Sequence, residues 1–218
     1  LPLLFAFIVI FLPRVKPASA LKINNFALAI STLYICWSLV AKLYIDDKVT
    51  TALNDRQIKT HHYLSTPAPF STLLWRVLVM SDGQYYEGYV SVFDSVSEVS
   101  LEAYHSSDYL LTNIKDEWDV QRLQWFTKGF YSVKQAEQYI VLSDLRMGVE
   151  CSYVFNFIVG EQTSMGIVKS HTEKVSARPD FSMLGGVWQR IWDPSVSLSP
   201  LKENGVCVNS KNLFSKKV

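Results

Sequence analysis

The run FALAISTLYICWSLVAKLYI, residues 26–45, limits this chain more than any other stretch. It holds one charge, Lys42, near its end, and a helix of about 20 apolar residues spans some 30 Å of hydrocarbon. A helix on the surface of a soluble domain needs a polar stripe, and this run offers only Ser31, Thr32 and Ser38. It therefore reads as a membrane span, with Lys42 snorkelling and Tyr44 in the aromatic belt. Trp37 falls past mid-span and is expected to pack on a neighbouring helix.

A second apolar run, LPLLFAFIVIFLP at 1–13, is too short to cross a bilayer and ends at Arg14. No positive segment precedes it, as a signal peptide would require, so it reads as the end of a truncated span in a fragment. The intervening loop RVKPASALK carries Arg14, Lys16 and Lys22 without an acid. That bias places the loop in the cytoplasm and everything after residue 45 outside, although Lys48, Arg56 and Lys59 weaken it. The expected organisation is transmembrane helices at 1–45, a helical connector at 46–65, a soluble domain at 66–192 and a polar, flexible tail at 193–218.

With a formal net charge of +1, the chain carries no basic field suited to nucleic acid. The partner it implies is the lipid bilayer; nothing in the sequence sets an oligomeric state. Cys36, Cys151 and Cys207 lie far apart without CxxC spacing, so neither a zinc site nor a disulfide framework is indicated. Cys36 reads as a small hydrophobe, and a Cys151–Cys207 bridge is admissible outside the cytoplasm.

The soluble part reads as a sheet. Pro67 and Pro69 extend the residues before them, and Asp82-Gly83 between two β-rich runs predicts a type I′ hairpin. That turn sets Ser81 opposite Gln84, Val79 opposite Tyr86, Val77 opposite Gly88 and Trp75 opposite Val90. Alternation then gathers Leu73, Trp75, Val77, Val79, Tyr86, Val90 and Val92 on one face. Arg76 lies opposite Tyr89 on the other face, with Glu87 on the diagonal as a surface partner. Further strands are expected at 100–105, 130–134, 138–145 and 151–159, with 130–134 and 138–145 flanking Gln135-Ala136-Glu137 as a second hairpin. Residues 116–129 form a helix with Asp116 and Glu117 at its start and Gly129 past its end, and 183–192 a shorter one. Trp118, Gln121, Arg122 and Trp125 share one face of the longer helix, continued upstream by Leu111 and Ile114. Hairpins with inserted helices, rather than βαβ units, give an α+β class with an antiparallel sheet.

Candidate chemistry is sparse. His61-His62 lacks ligand spacing, and His105 and His171 stand apart. Asp82, Asp94, Asp108 and Asp119 are scattered, and no nucleophile or phosphate-loop motif is present. The catalytic candidates are Arg76, Asp144 and Arg146, the last two residing in SDLRMG, where Arg146 reads as an anion binder or as the structural partner of Asp144.

The order STPAPFSTLLWRVLVMSDGQYYEGYVSVFD, WFTKGFY, VLSDLRMG, YVFNF and VWQRIW resembles the carboxyl-terminal half of bacterial membrane-bound metal-dependent hydrolases, also described as LexA-regulated inner-membrane hydrolases. The resemblance covers roughly Leu3 to Trp192. It implies a multi-pass inner-membrane protein and a divalent metal ion in the full-length protein. It assigns no metal ligand to this chain, because the family's His- and Asp-rich motifs lie in the amino-terminal half. The alternative reading is a non-catalytic membrane-anchored module that binds a partner or senses envelope conditions.

Overall fold

The protein is described here from a computed structural model that covers residues 17–175, 184–198, 202–203 and 206–207. It divides after Asp47 into two units. The first contains most of α1 (Pro17–Asp55), a 39-residue helix about 60 Å long. Pro17 opens it, as proline suits a first helical position, so residues 17–22 of the expected loop are helical. From Leu21 onward α1 is long and apolar enough to cross a membrane, and only 11% of its most apolar window is buried. Leu21, Phe26, Leu33, Leu39 and Leu43 are exposed around it. Among the described residues it is the one such helix; the expected span at 1–13 lies outside them.

The second unit begins at Lys48, in the last turns of α1. The expected connector is helical only to Asp55. Thereafter the chain forms β1 (His62–Pro67), β2 (Leu74–Ser81), β3 (Gln84–Ser91) and β4 (Glu102–His105), an antiparallel sheet in that order. Helix α2 (Trp118–Thr127) then precedes a second antiparallel sheet, β5 (Tyr131–Ala136), β6 (Tyr139–Asp144), β7 (Phe155–Thr163) and β8 (Gly166–Val175). The unit closes with α3 (Leu184–Trp192) and a small antiparallel pair, β9 (Lys202–Glu203) and β10 (Val206–Cys207).

The β2–β3 register is the expected one throughout, including Arg76 opposite Tyr89. The turn differs: only Gly83 takes a positive φ, whereas a type I′ turn needs two. The larger difference is burial. Leu74 through Met80 are all buried, so β2 is covered on both faces. Leu78, Met80 and Tyr85 pack with Tyr104, Leu145 and Tyr153, on the face read from the sequence as solvent-exposed. Arg76 and Glu87 are consequently an interior pair, 7% and 5% exposed, and not a surface one.

Leu111 and Ile114 do not continue the Trp118–Trp125 face of α2 as expected, since they are buried where the two tryptophans are exposed. Val120 and Leu123 join Leu110, Leu111 and Ile114 against Val133, Ile140, Leu142 and Val159 of the second sheet. Trp118 and Trp125 face outward, and the Arg122 guanidinium sits 4.3 Å from the Trp125 ring centre. Lys128 and Gly129 end the helix in left-handed conformations.

Leu198, in the segment read as a tail, is buried with Ala68, Leu74 and Ile191. Cys151 is disulfide-bonded and Cys36 is free.

Candidate functional site

Arg76 lies mid-strand on β2, where alternation aims its side chain into the interior. Its Nε donates to Glu87 Oε1 at 2.7 Å, and its Nη2 donates to the Leu145 carbonyl at 2.8 Å. The second Glu87 oxygen accepts from the Tyr153 hydroxyl at 2.6 Å and from the Glu150 backbone N–H at 3.2 Å. Glu150 in turn accepts from Lys134 Nζ at 2.5 Å and from the Tyr85 hydroxyl. Two cations, Arg76 and Lys134, thus face two carboxylates, Glu87 and Glu150, and every one of these groups has a partner. A buried charge needs such compensation to remain ionised.

The charges shift their neighbours. Burial alone would lower the Arg76 pKa, but the charge and hydrogen bond of Glu87 outweigh it and hold the guanidinium above its ordinary value. Burial, then Glu150, pushes the Tyr85 phenol up; burial, then Glu87, raises Tyr153 well above its usual range. Burial and then the hydrogen bond to Glu102 raise Tyr104. Tyr89 is pushed up to about 12, by burial first, with Arg76 pulling partly against it. A phenol whose folded pKa exceeds its unfolded value of about 10 stabilises the fold fully below that pH. That stability is lost as the pH rises through the folded values. The denaturant midpoint is therefore expected to hold up to about pH 9.5 and to fall steeply between about pH 10 and 12. Chemical unfolding across that range checks this; a midpoint unchanged at pH 11.5 would contradict it.

Asp144 ends β6, and Arg146 follows in the turn beyond it. Arg146 grips the Asp144 carboxylate twice, Nε to Oδ1 at 2.9 Å and Nη2 to Oδ2 at 2.6 Å, while its backbone N–H donates to Oδ1 at 3.0 Å. The bond to Asp144 raises the Arg146 pKa. The Arg146 guanidinium also lies 5.0 Å from the Phe126 ring centre. Gly148, with φ +102°, lets the turn fold back; a Cβ there would come within 2.4 Å of the Ser152 carbonyl oxygen.

The three sequence candidates therefore meet. Arg76 holds the Leu145 carbonyl, between Asp144 and Arg146, and so acts as a positioning residue for that turn. Beside it opens a cleft of about 600 Å³ lined by His62, Gln124, Trp125, Phe126, Lys128 and Arg146. Its lining joins aromatic faces to cationic groups, which suits a flat or anionic group better than a cation. Sequence reasoning placed His62 on a helical connector; it stands at the start of β1, 5.6 Å from the Phe130 ring. His61 pairs with Asp82 at 2.7 Å at the surface.

Glu150, Tyr85, Tyr153 and Lys134 escaped the sequence reading because residues drawn from β3, β5 and the connection between β6 and β7 give no spacing signal. A second buried constellation escaped likewise. Lys48 Nζ donates to the backbone carbonyls of Ser91, Val92 and Asp94 at 3.2, 3.1 and 2.5 Å. Arg190 of α3 grips the Asp94 carboxylate at 3.0 and 2.7 Å and the Tyr89 carbonyl at 2.8 Å.

A divalent ion needs converging oxygen, nitrogen or sulfur ligands, and the described residues contain no group of three or more His, Cys, Asp or Glu so arranged. The carboxylates that do cluster are taken up by Arg76, Lys134, Arg146 and Arg190. The described residues thus do not fit the metal centre that the resemblance implies for the full-length protein. Comparison of the chain with protein-family models, with curated proteins and with solved structures gives no match.

Proposed function

We propose that this chain is the carboxyl-terminal part of a multi-pass inner-membrane metal-dependent hydrolase, with a domain from Lys48 onward whose described residues contribute no metal ligand. One observation carries the reading. The motif residues behind the resemblance, Arg76 in the first element and Asp144 to Arg146 in the second, meet at one junction, where Arg76 binds the Leu145 carbonyl although the two lie 69 positions apart. Motifs joined in this way behave as one architectural unit, as expected of a family signature. The apolar α1 supports membrane insertion. The disulfide at Cys151 supports an oxidising compartment for the domain, in accord with the charge bias of the 14–22 segment. In this reading the cleft shapes access to a site formed by other membrane helices.

A second reading, a non-catalytic membrane-anchored module, draws support from the internal engagement of Arg76, Glu87 and Asp144. The test uses the protein expressed from its natural start and purified in mild detergent. Stoichiometric divalent metal, with ester or phosphoester hydrolysis abolished by a chelator, is the expected result. Absence of bound metal would sink the hydrolase proposal. Loss of turnover in Arg146→Ala with unchanged thermal stability would count against the non-catalytic module.

A further inference from the structure

We infer that α3 and the loop after β3 form an aromatic foot that docks the second unit on the surface of the bilayer crossed by α1; this rests on the membrane reading above. The foot consists of Phe93, Trp188 and Trp192. Trp192 stacks on Phe93 with ring centres 4.8 Å apart, and Trp188 meets Trp192 edge-on at 6.0 Å. All three are more than half exposed. The helix buries Ile191 and packs Val187 against the core, yet it also turns two indoles outward. Ile191 and Arg190 are buried, while Gly185, Trp188, Gln189 and Trp192, spaced at helical intervals, form its outward stripe. Tryptophan combines an apolar body with an N–H donor, and its preferred environment is the headgroup zone of a membrane.

What selects lipid over another occupant is continuity with α1. Lys48 stands three residues beyond Ile45, the last residue of the apolar run, or about 5 Å further along the helix axis. That distance falls within the headgroup layer, roughly 5–7 Å on each side of the hydrocarbon. Lys48 Nζ binds the carbonyls of Val92 and Asp94, the two residues flanking Phe93. Arg190, two positions before Trp192, grips Asp94. The aromatic foot is thus tied by hydrogen bonds to a lysine that stands within one helical turn of the end of the apolar run.

The test uses the whole chain in phosphatidylcholine–phosphatidylglycerol vesicles containing lipid quenchers, nitroxide at the headgroup or midway along the acyl chain. Subtracting the fluorescence of Trp188→Phe/Trp192→Phe from that of the wild type isolates the foot. Subtracting that of Trp37→Phe isolates a reporter within α1. The foot signal is expected to be quenched about threefold more by the headgroup nitroxide than by the mid-chain one, the order reversing for Trp37. A foot signal indifferent to both quenchers, with Trp37 quenched at mid-chain, would overturn the docking inference while leaving the span intact. If cross-linking then captured the foot against a second copy, its occupant would be that copy. An unquenched Trp37 would remove the membrane reading and this inference with it.

Discussion

Replacing Glu87 with alanine is expected to cost about 3–5 kcal/mol of folding stability, the range for a buried ion pair broken from one side. Three donors lose their acceptor at once: the Arg76 guanidinium, the Tyr153 hydroxyl and the Glu150 N–H. Arg76 keeps its bond to the Leu145 carbonyl, but a carbonyl dipole does not neutralise a full charge in the interior. Against the 5–15 kcal/mol available to a typical domain, that loss is a large share of the total stability. Arg76→Ala is expected to cost a similar amount, leaving Glu87 as the uncompensated charge. The double variant should cost less than the sum of the singles, because no charge is then stranded; the pair's coupling appears as that difference. Denaturant unfolding of the four proteins in one detergent measures the cycle. A Glu87→Ala loss below about 1 kcal/mol would mean that water reaches Arg76, contrary to its burial.

The Arg76–Glu87 contact also marks how far the sequence could be read. Asp82-Gly83 and strict alternation gave the whole β2–β3 register, so the two residues were correctly placed as diagonal neighbours. Their burial was not legible, because the groups that cover them, Leu145, Glu150 and Tyr153, arrive more than 60 positions later. Strands β1 and β8 were missed for a related reason. Both lie at sheet edges, β8 is largely exposed, and a strand with no fully buried face carries little hydrophobic period. The candidate site divides the same way. Asp144 and Arg146 are two residues apart, and their pairing could be read from the chain. The cleft beside them draws on β1, α2 and the turn after β6, and only folding assembles it. Lys48, read as a charge flanking a span, turned out to be a buried donor because its carbonyl partners belong to a loop more than 40 positions away.

Asp94→Ala is expected to be about as severe, a loss of roughly 3–5 kcal/mol, but local in its consequences. Arg190 is 3% exposed and would lose both carboxylate oxygens, keeping only the Tyr89 carbonyl; the Ser91 N–H would lose its acceptor at 2.8 Å. The three Lys48 bonds go to backbone oxygens that alanine retains, so the end of α1 should stay attached to the loop. What weakens is the hold on α3. Its remaining ties are the Ser91 hydroxyl to the Ile191 carbonyl, at 2.7 Å, and the packing of Val187 and Ile191 with Ala68, Leu74 and Leu198. Those ties are too few to seat a nine-residue helix that strands a buried guanidinium, since so short a helix is unstable without its tertiary contacts. Hydrogen exchange should therefore accelerate across 184–192 at least tenfold while β2 and β6 keep their protection, because local openings need not follow global unfolding. Uniform acceleration through both sheets would show instead that Asp94 anchors the entire unit. Unchanged exchange in α3 would show that packing alone seats the helix, leaving the Asp94–Arg190 pair without a structural task.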